Sequence, residues 1–385
     1  MEPLPARVAT VASALSERFI GKDEVIRVLL VSAIAGEHAL LIGPPGTAKS
    51  ALVRTLAQLV SARYFEYLLT RFTEPNELFG PVDIAAFRAG EYRRRTEGML
   101  PEAEIVFLDE VFKSNSAILN SLLTLLNERT YSVGARVVRC PLVSVFGASN
   151  EVPADETLTA VFDRFLLRVK NADLDAYHFD ELVARGLAHE AERSGPPLAP
   201  LVSVKELAAF HENATWQSAC DAPFLSAYKG LVFQIRAEGI ALSDRRVVKL
   251  LKLFAASAWL DGRAKADTSD LFLLRHVWNN EDQAAILDAL VTPELEAFYR
   301  EHPERRRVGP VAVGVEGLSA EIDRIRRILT EGPPPGDVQL FSQLKALGEI
   351  KAALAGIPDP RARELEQRVA ALLEASFKTG RFANL

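Results

Sequence analysis

Ala39-Leu40-Leu41-Ile42-Gly43-Pro44-Pro45-Gly46-Thr47-Ala48-Lys49-Ser50 is the stretch from which the fold can be read. Four consecutive apolar residues, then a Gly/Pro turn, then a helix start spell a buried strand, a phosphate-binding loop and a helix. The chemistry requires this order of residue types. Gly43, Pro44, Pro45, Gly46, Thr47 and Ala48 hold a tight loop whose backbone N–H groups turn inward around a β-phosphate. Lys49 reaches the β- and γ-phosphates as a point charge, and the Ser50 hydroxyl is a ligand for Mg2+. The helix starting at Lys49 aims its partially positive end at the anion. Ala48 stands where the general pattern G-x-x-x-x-G-K-[ST] has glycine. A turn rich in Gly and Pro that binds nothing is the competing reading of these residues alone.

Three downstream signals favour the triphosphate. Ile105-Val106-Phe107-Leu108 is a continuous apolar run, as a parallel sheet covered on both faces requires, and it ends in Asp109-Glu110. Ligands of open α/β sheets gather outside the carboxyl ends of the strands, so both carboxylates are expected to face the phosphates. Asp109 then holds Mg2+, mostly through water, and Glu110 orients and polarises the attacking water. An acidic pair capping the next helix is the plainer alternative. Asn150, after Val145-Phe146-Gly147-Ala148-Ser149, ends another strand at the same edge, where a neutral amide can bond the γ-phosphate or the lytic water. Arg164, in Asp163-Arg164-Phe165 after a short helix over 158–162, is a candidate arginine finger for a neighbouring subunit. Its plain alternative is a surface arginine paired to Asp163.

The order along the first half is β-α-β-insert-β-α-hairpin-β, a doubly wound α/β layer. Helices are expected over 12–38 with a break at Gly21, over 51–59 and over 115–128. Strands are expected over 64–69, 105–108 and 142–147, with a hairpin inside 130–140. Residues 73–101 carry Pro75, Gly80, Pro81, Gly90 and Gly98 as punctuation, and Arg93-Arg94-Arg95 as a small basic cluster. From about residue 179 the pattern turns helical, with a cap at Ser243-Asp244 followed by Val247, Leu250, Leu251 and Phe254. Residues 301–317 read as a connection, and three more helices follow it.

With 385 residues, 45 Lys and Arg against 51 Asp and Glu, and a net charge of −6, the chain has room for two or three domains and lacks a long basic block for gripping nucleic acid. Cys140 and Cys220 give neither metal spacing nor a disulfide framework. The six histidines are scattered and receive no catalytic role. Neither a signal peptide nor a bilayer-spanning stretch is evident, so a soluble cytoplasmic protein is expected.

Together these residues resemble the AAA+ ATPases of the MoxR type and, within them, the RavA-like branch. The matching segments are residues 41–50, 70–81, 100–120, 127–129, 147–151 and 163–165, with a later match at Leu242-Ser243-Asp244-Arg245-Arg246 and Ala256-Ser257-Ala258-Trp259. The resemblance spans about residues 10–290, and within it Ala48 belongs to a familiar Gly-Thr-Ala-Lys-Ser. It implies an AAA+ αβα core with a parallel sheet over residues 1–178, an all-helical lid over 179–290 and a helical extension over 291–385. It also implies ATP and Mg2+ at the subunit interfaces of a homo-oligomeric ring, usually a hexamer. Arg245, rather than Arg246, becomes the sensor-2 arginine on the phosphate, and Phe19, Ile20 and Gly21 line the adenine pocket. Pore-facing inserts fall near residues 82–98 and at the hairpin near 131–138. Family members act as chaperone-like remodellers or maturation factors, typically with a von Willebrand factor A domain partner. After residue 290 the chain departs from RavA, whose extension holds a β-rich domain between helices.

Two other functions compete. A nucleic-acid motor or loader would use Arg93–Arg95 in a pore insert, against the acidic balance of the chain. A nucleotide-gated scaffold that never turns over is disfavoured by the joint presence of Lys49, Asp109, Glu110 and Arg164.

Overall fold

The computed structural model describes residues 3–133, 136–153, 155–171, 198–213, 215–305, 315–330 and 360–379, with a further set of positions between 340 and 354. The expectation of helix over 179–197 lies outside the described residues. The chain divides into two compact units, one of residues 1–172 and 196–306, the other holding residues 307–385.

The first unit is built on five parallel strands: β1 (Ala39–Ile42), β2 (Tyr64–Leu68), β3 (Ile105–Asp109), β6 (Ser144–Ser149) and β7 (Leu167–Lys170). Their order across the sheet is β2-β3-β6-β1-β7. β1 pairs with β6 on one side, Ala39 opposite Phe146, and with β7 on the other, Ala39 opposite Leu167. Every residue of β1 and β6 is buried, which is why both read as continuous apolar runs rather than alternating ones. Helices α2 (Asp23–Ala35) and α3 (Lys49–Leu59) cover the sheet, α2 packing on β1, β6 and β7 and α3 on β2 and β3, and α1 (Leu4–Arg18) packs on both helices. This is the doubly wound α/β layer that the sequence led us to expect.

Local chemistry sets the element ends. Helix α6 (Ser116–Glu128) starts at Asn115, whose side chain accepts the Ile118 N–H, and stops at Arg129, which adopts φ +54°. The chain then folds back as the antiparallel hairpin of β4 (Thr130–Val133) and β5 (Arg136–Arg139), closed by the Cys140 N–H on the Arg129 carbonyl. Short helices α4 (Pro75–Phe79) and α5 (Ile84–Arg88) fill the segment of mixed character, α5 capped by the Asp83 carboxylate on the Ala85 and Ala86 amides.

The reading of the strands needed correction. β6 runs over Ser144–Ser149 rather than 142–147, because Leu142 and Val143 are buried in the approach to the strand while the ladder begins at Ser144. β7 escaped the reading: Leu166-Leu167-Arg168-Val169 is apolar except for Arg168, which marks it as surface. Yet Arg168 is 0 % exposed. Its guanidinium donates to the carbonyls of Phe162, Val277 and Trp278 at 3.1, 3.2 and 2.6 Å, and lies 4.2 Å from the Phe162 ring centroid. Those acceptors replace water, so a charge can sit inside a strand.

Beyond the sheet the first unit is helical: α8 (Val204–Glu212), α9 (Ala222–Ala237), α10 (Asp244–Leu260) and α11 (Asp282–Glu301), following α7 (Glu156–Phe162). The Ser243 hydroxyl caps α10 by accepting the Arg246 N–H, as its sequence indicated. In the second unit, α12 (Val315–Thr330) and α13 (Pro360–Thr379) pack through Leu318, Ile322, Ile325, Leu365 and Val369. Residues 315–317, expected in the connection, belong to α12.

One glycine ties the sheet to the segment bearing Arg164. A Cβ on Gly147 would lie 2.8 Å from Phe165 Cζ and 3.0 Å from Leu40 Cδ1, so Phe165 seats directly on the backbone of β6. Gly147→Ala is therefore expected to cost about 1–3 kcal/mol by overpacking and to lower Tm by about 3–8 °C, measured by thermal unfolding. A variant melting with the wild type would show that Phe165 moves aside freely.

Candidate active site

The loop after β1 has the shape its sequence requires. Gly46 adopts φ +86° and Ala48 φ +60°, so Ala48 holds the left-handed conformation that glycine adopts without strain. Thr47 Oγ1 donates to the Pro44 carbonyl at 2.9 Å, and Lys49 Nζ donates to the carbonyls of Gly43 and Pro44 at 2.6 and 2.9 Å. The ammonium is thus folded into its own loop. Burial lowers the Lys49 pKa, opposed by the nearby Asp109 and Glu110 carboxylates. Ser50 follows on the first turn of α3, and Pro44, Pro45, Gly46 and Ala48 stay exposed at the loop surface.

Asp109 ends β3 and Glu110 follows with φ +53° and ψ 44°, a left-handed turn that bends the chain away from the sheet at once. The Glu110 N–H donates to Asp109 Oδ1 at 3.0 Å. Burial raises the Asp109 pKa; this hydrogen bond and Lys49 oppose the rise, while Glu110 adds to it. A half-buried carboxyl whose charge is unfavourable in isolation is the kind of donor a dication relieves. Among the described residues no group of three or more His, Cys, Asp or Glu could hold a metal alone. That fits Mg2+, which is held by one or two protein oxygens, water and substrate phosphates. Ser50 and Asp109 carry oxygen donors of that chemical type.

Asn150 lies one residue past β6, and its Nδ2 donates to Glu110 Oε1 at 2.6 Å. Lys113 Nζ lies 3.0 Å from the same oxygen. The structure therefore brings Lys49, Asp109, Glu110 and Asn150 to one edge. Phe19 and Ile20 are buried and Gly21 takes φ +64° at the junction of α1 and α2, with α1 packed on α3. Arg164 stands apart from that edge's hydrogen bonds; its Nη1 is 3.7 Å from Asp163 Oδ2. Arg245 is exposed, with Nη2 3.3 Å from Asn127 Oδ1. Arg246 is buried instead, donating to the Val277 carbonyl at 2.7 Å and Asn279 Oδ1 at 2.8 Å.

Sequence reading missed Asn171. Directly after β7, its Nδ2 donates to both the carbonyl and the hydroxyl of Thr47 at 3.0 Å, and its N–H donates to the Ile42 carbonyl at 2.7 Å. A Cβ on Gly43 would lie 2.1 Å from the Asn171 carbonyl oxygen, so the first loop glycine is needed for this close approach. Recognising the strand before it was the only route to Asn171 from sequence. Asn171→Ala removes two hydrogen bonds that hold the loop; we expect the Kd for ATP to rise about tenfold, measured by fluorescent-nucleotide titration. A change under twofold would show that the loop keeps its shape unaided.

Comparison with known proteins agrees with this geometry. Residues 6–210 match the family model described as the MoxR domain in the MoxR-vWA-beta-propeller ternary systems, and residues 229–291 match an AAA lid domain. An uncharacterised protein of Methanocaldococcus jannaschii is 34% identical over 358 residues, covering 91% of this chain and 90% of that protein. Protein MoxR of Paracoccus denitrificans is 29% identical over 283 residues, covering 67% and 83%. Chaperone MoxR1 of Mycobacterium tuberculosis is 27% identical over 175 residues, covering 44% and 46%. A solved structure from Cytophaga hutchinsonii shares the fold with a TM-score of 0.61 at 19% identity, covering 76% of this chain and 94% of that one. The chain belongs to the MoxR family of AAA+ ATPases.

Proposed function

We propose that this ATPase hydrolyses ATP at the edge where Lys49, Asp109, Glu110 and Asn150 meet, and uses the reaction to remodel or mature partner proteins. The observation that carries the reading is the 2.6 Å bond from the Asn150 amide to the Glu110 carboxylate beside the Lys49 loop. Lys49 turns its donors from the Gly43 and Pro44 carbonyls to the β- and γ-phosphate oxygens. Glu110 takes a proton from the attacking water, and Asn150 keeps the carboxylate aimed. Ser50 and Asp109 are the residues that would hold Mg2+, which when bound supplies charge neutralisation on the phosphates. Ile20 and Gly21 form part of the adenine pocket, and Arg245 reads the phosphate from the lid.

The working form is a ring of identical subunits, hexameric, with Arg164 completing a neighbour's site. The functional division is a core over 1–178, a lid over 179–290 and an extension over 291–385. The partner is a protein with a von Willebrand factor A domain, a pairing supported by the description of the matched family model; the name of chaperone MoxR1 supports the remodelling role. Ile84, Phe87 and Val137, 62–67 % exposed on the insert and the hairpin, supply apolar contacts for a client. Among the described residues no helix is long and apolar enough to cross a membrane, in keeping with work in the cytoplasm. The nucleic-acid alternative loses support from the insert itself. Arg93 and Arg95 lie 3.9 and 3.7 Å from Asp83, and Arg94 donates to Asn76 Oδ1 and the Gly80 carbonyl, so the basic cluster folds the insert.

Two measurements test the reading. Glu110→Gln should lower kcat for ATP by about 10²–10⁴-fold while nucleotide still binds, and the trapped form should retain client through purification; unchanged turnover would refute the role of Glu110. Arg164→Ala should lose about 10³-fold or more in turnover and regain part of it when mixed with Lys49→Ala subunits. Absence of any rescue would overturn the shared site.

A further inference from the structure

Lys113 has no part in the function proposed so far, yet it contacts the residue at its centre. The 3-10 turn Val111–Lys113 follows Glu110 immediately, and the Lys113 N–H donates to the Glu110 carbonyl at 2.8 Å. The Lys113 ammonium returns to the same residue, 3.0 Å from Oε1. The backbone of the turn is held in place by its neighbours. Val111 is fully buried, Ser114 Oγ donates to the Val111 carbonyl at 3.0 Å, and the Phe112 ring lies 5.8 Å from that of Phe162.

An exposed lysine three residues from a glutamate is ordinarily a weak ion pair of little consequence. Three features separate this one. The Glu110 side chain is only 14 % exposed, against 57 % for Lys113, so the pair is partly shielded on its acidic side. Lys49 directs its ammonium to its own loop carbonyls, which leaves Lys113 as the cation in ion-pair contact with Glu110 among the described residues. Above all, Asn150 Nδ2 and Lys113 Nζ converge on one oxygen, Oε1. Two donors on one oxygen fix the plane and direction of a carboxylate and leave its second oxygen to accept a proton.

We propose that Lys113 is a positioning residue for hydrolysis: its ammonium and the Asn150 amide together pin Oε1 of Glu110 and present Oε2 to the attacking water. This rests on the reading of Glu110 as the group that polarises water. A carboxylate held by Asn150 alone can swing about that single bond, so the fraction of time Oε2 faces the water falls. ATP itself does not touch Lys113 on this reading, and the effect appears in kcat rather than in binding.

Steady-state ATPase kinetics on the full chain provide the test. Lys113→Met is expected to lower kcat about tenfold with KM and the Kd for ATP within twofold of wild type, and Lys113→Arg to restore most of the rate. In a Glu110→Gln background, Lys113→Met should add no further loss, because the carboxylate it steers is gone. Wild-type kcat in Lys113→Met, a parallel rise in KM, or an undiminished tenfold loss on top of Glu110→Gln would each overturn the proposal. If Glu110→Gln alone keeps full turnover, the assignment of Glu110 fails, and Lys113 with it. If Glu110→Gln is inactive while Lys113→Met is normal, only the role of Lys113 falls.

Discussion

A parallel sheet places every strand's carboxyl end on one side, and the site depends on that constraint. Gly43 follows β1, Asp109 ends β3, Asn150 follows β6 and Asn171 follows β7. These residues are far apart in sequence, and they share an edge because their strands point the same way. The central strands must be apolar on both faces to be covered by helices, so chemistry is confined to the residues just beyond their ends. Two turns at this edge use strained backbone. Ala48 and Glu110 both adopt positive φ, a conformation that costs a residue with a side chain roughly 1–2 kcal/mol. Each bends the chain within one residue of a strand or loop, which keeps the phosphate loop and the acidic pair close together.

The loop is held from both sides. From within, Thr47 and Lys49 bond the carbonyls of Pro44 and Gly43. From outside, Asn171 bonds Thr47 twice and its backbone crowds Gly43. On the function proposed above, an anion would replace carbonyl partners of Lys49 while the Asn171 clamp, which does not involve the ammonium, stays in place. The fixed partial charges of the loop amides are thereby set before the ligand binds.

Residues 39–50 were enough to predict a strand, a loop and a helix, and the apolar run 105–108 was enough to predict a second buried strand with acidic residues at its carboxyl end. These succeeded because burial on both faces and special turn residues leave local marks. Arg168 shows where local marks fail. A charged residue in a short apolar run reads as solvent-facing, and only the carbonyls of Phe162, Val277 and Trp278, the last two more than a hundred residues away, make its burial possible. Asn171 and Lys113 were illegible for a related reason. Each is an ordinary polar residue after a turn or strand, and its importance lies in a partner that the fold supplies. The choice between Arg245 and Arg246 rested on resemblance alone; the structure separates them physically, one exposed and one buried.

The burial of Arg168 and Arg246 constrains the segment that bears Arg164. Two guanidinium groups this close repel, and burial pushes both pKa values down, most strongly for Arg168. Backbone carbonyls and Asn279 Oδ1 accept from their terminal nitrogens, the Nε atoms of both are left without an acceptor, and none of these partners neutralises charge. Among the described residues, the carboxylate near both is Asp163, 3.8 Å from Arg246 and 4.0 Å from Arg168, and it is also 3.7 Å from Arg164. Removing that carboxylate would leave two buried cations uncompensated, a more severe defect than the loss of any one hydrogen bond. Arg246 comes from α10 and Arg168 from β7, so helical lid and sheet meet at the same acid. The backbone that carries Arg164 is accordingly fixed by electrostatics shared between core and lid, and its placement cannot be assigned to the sheet alone.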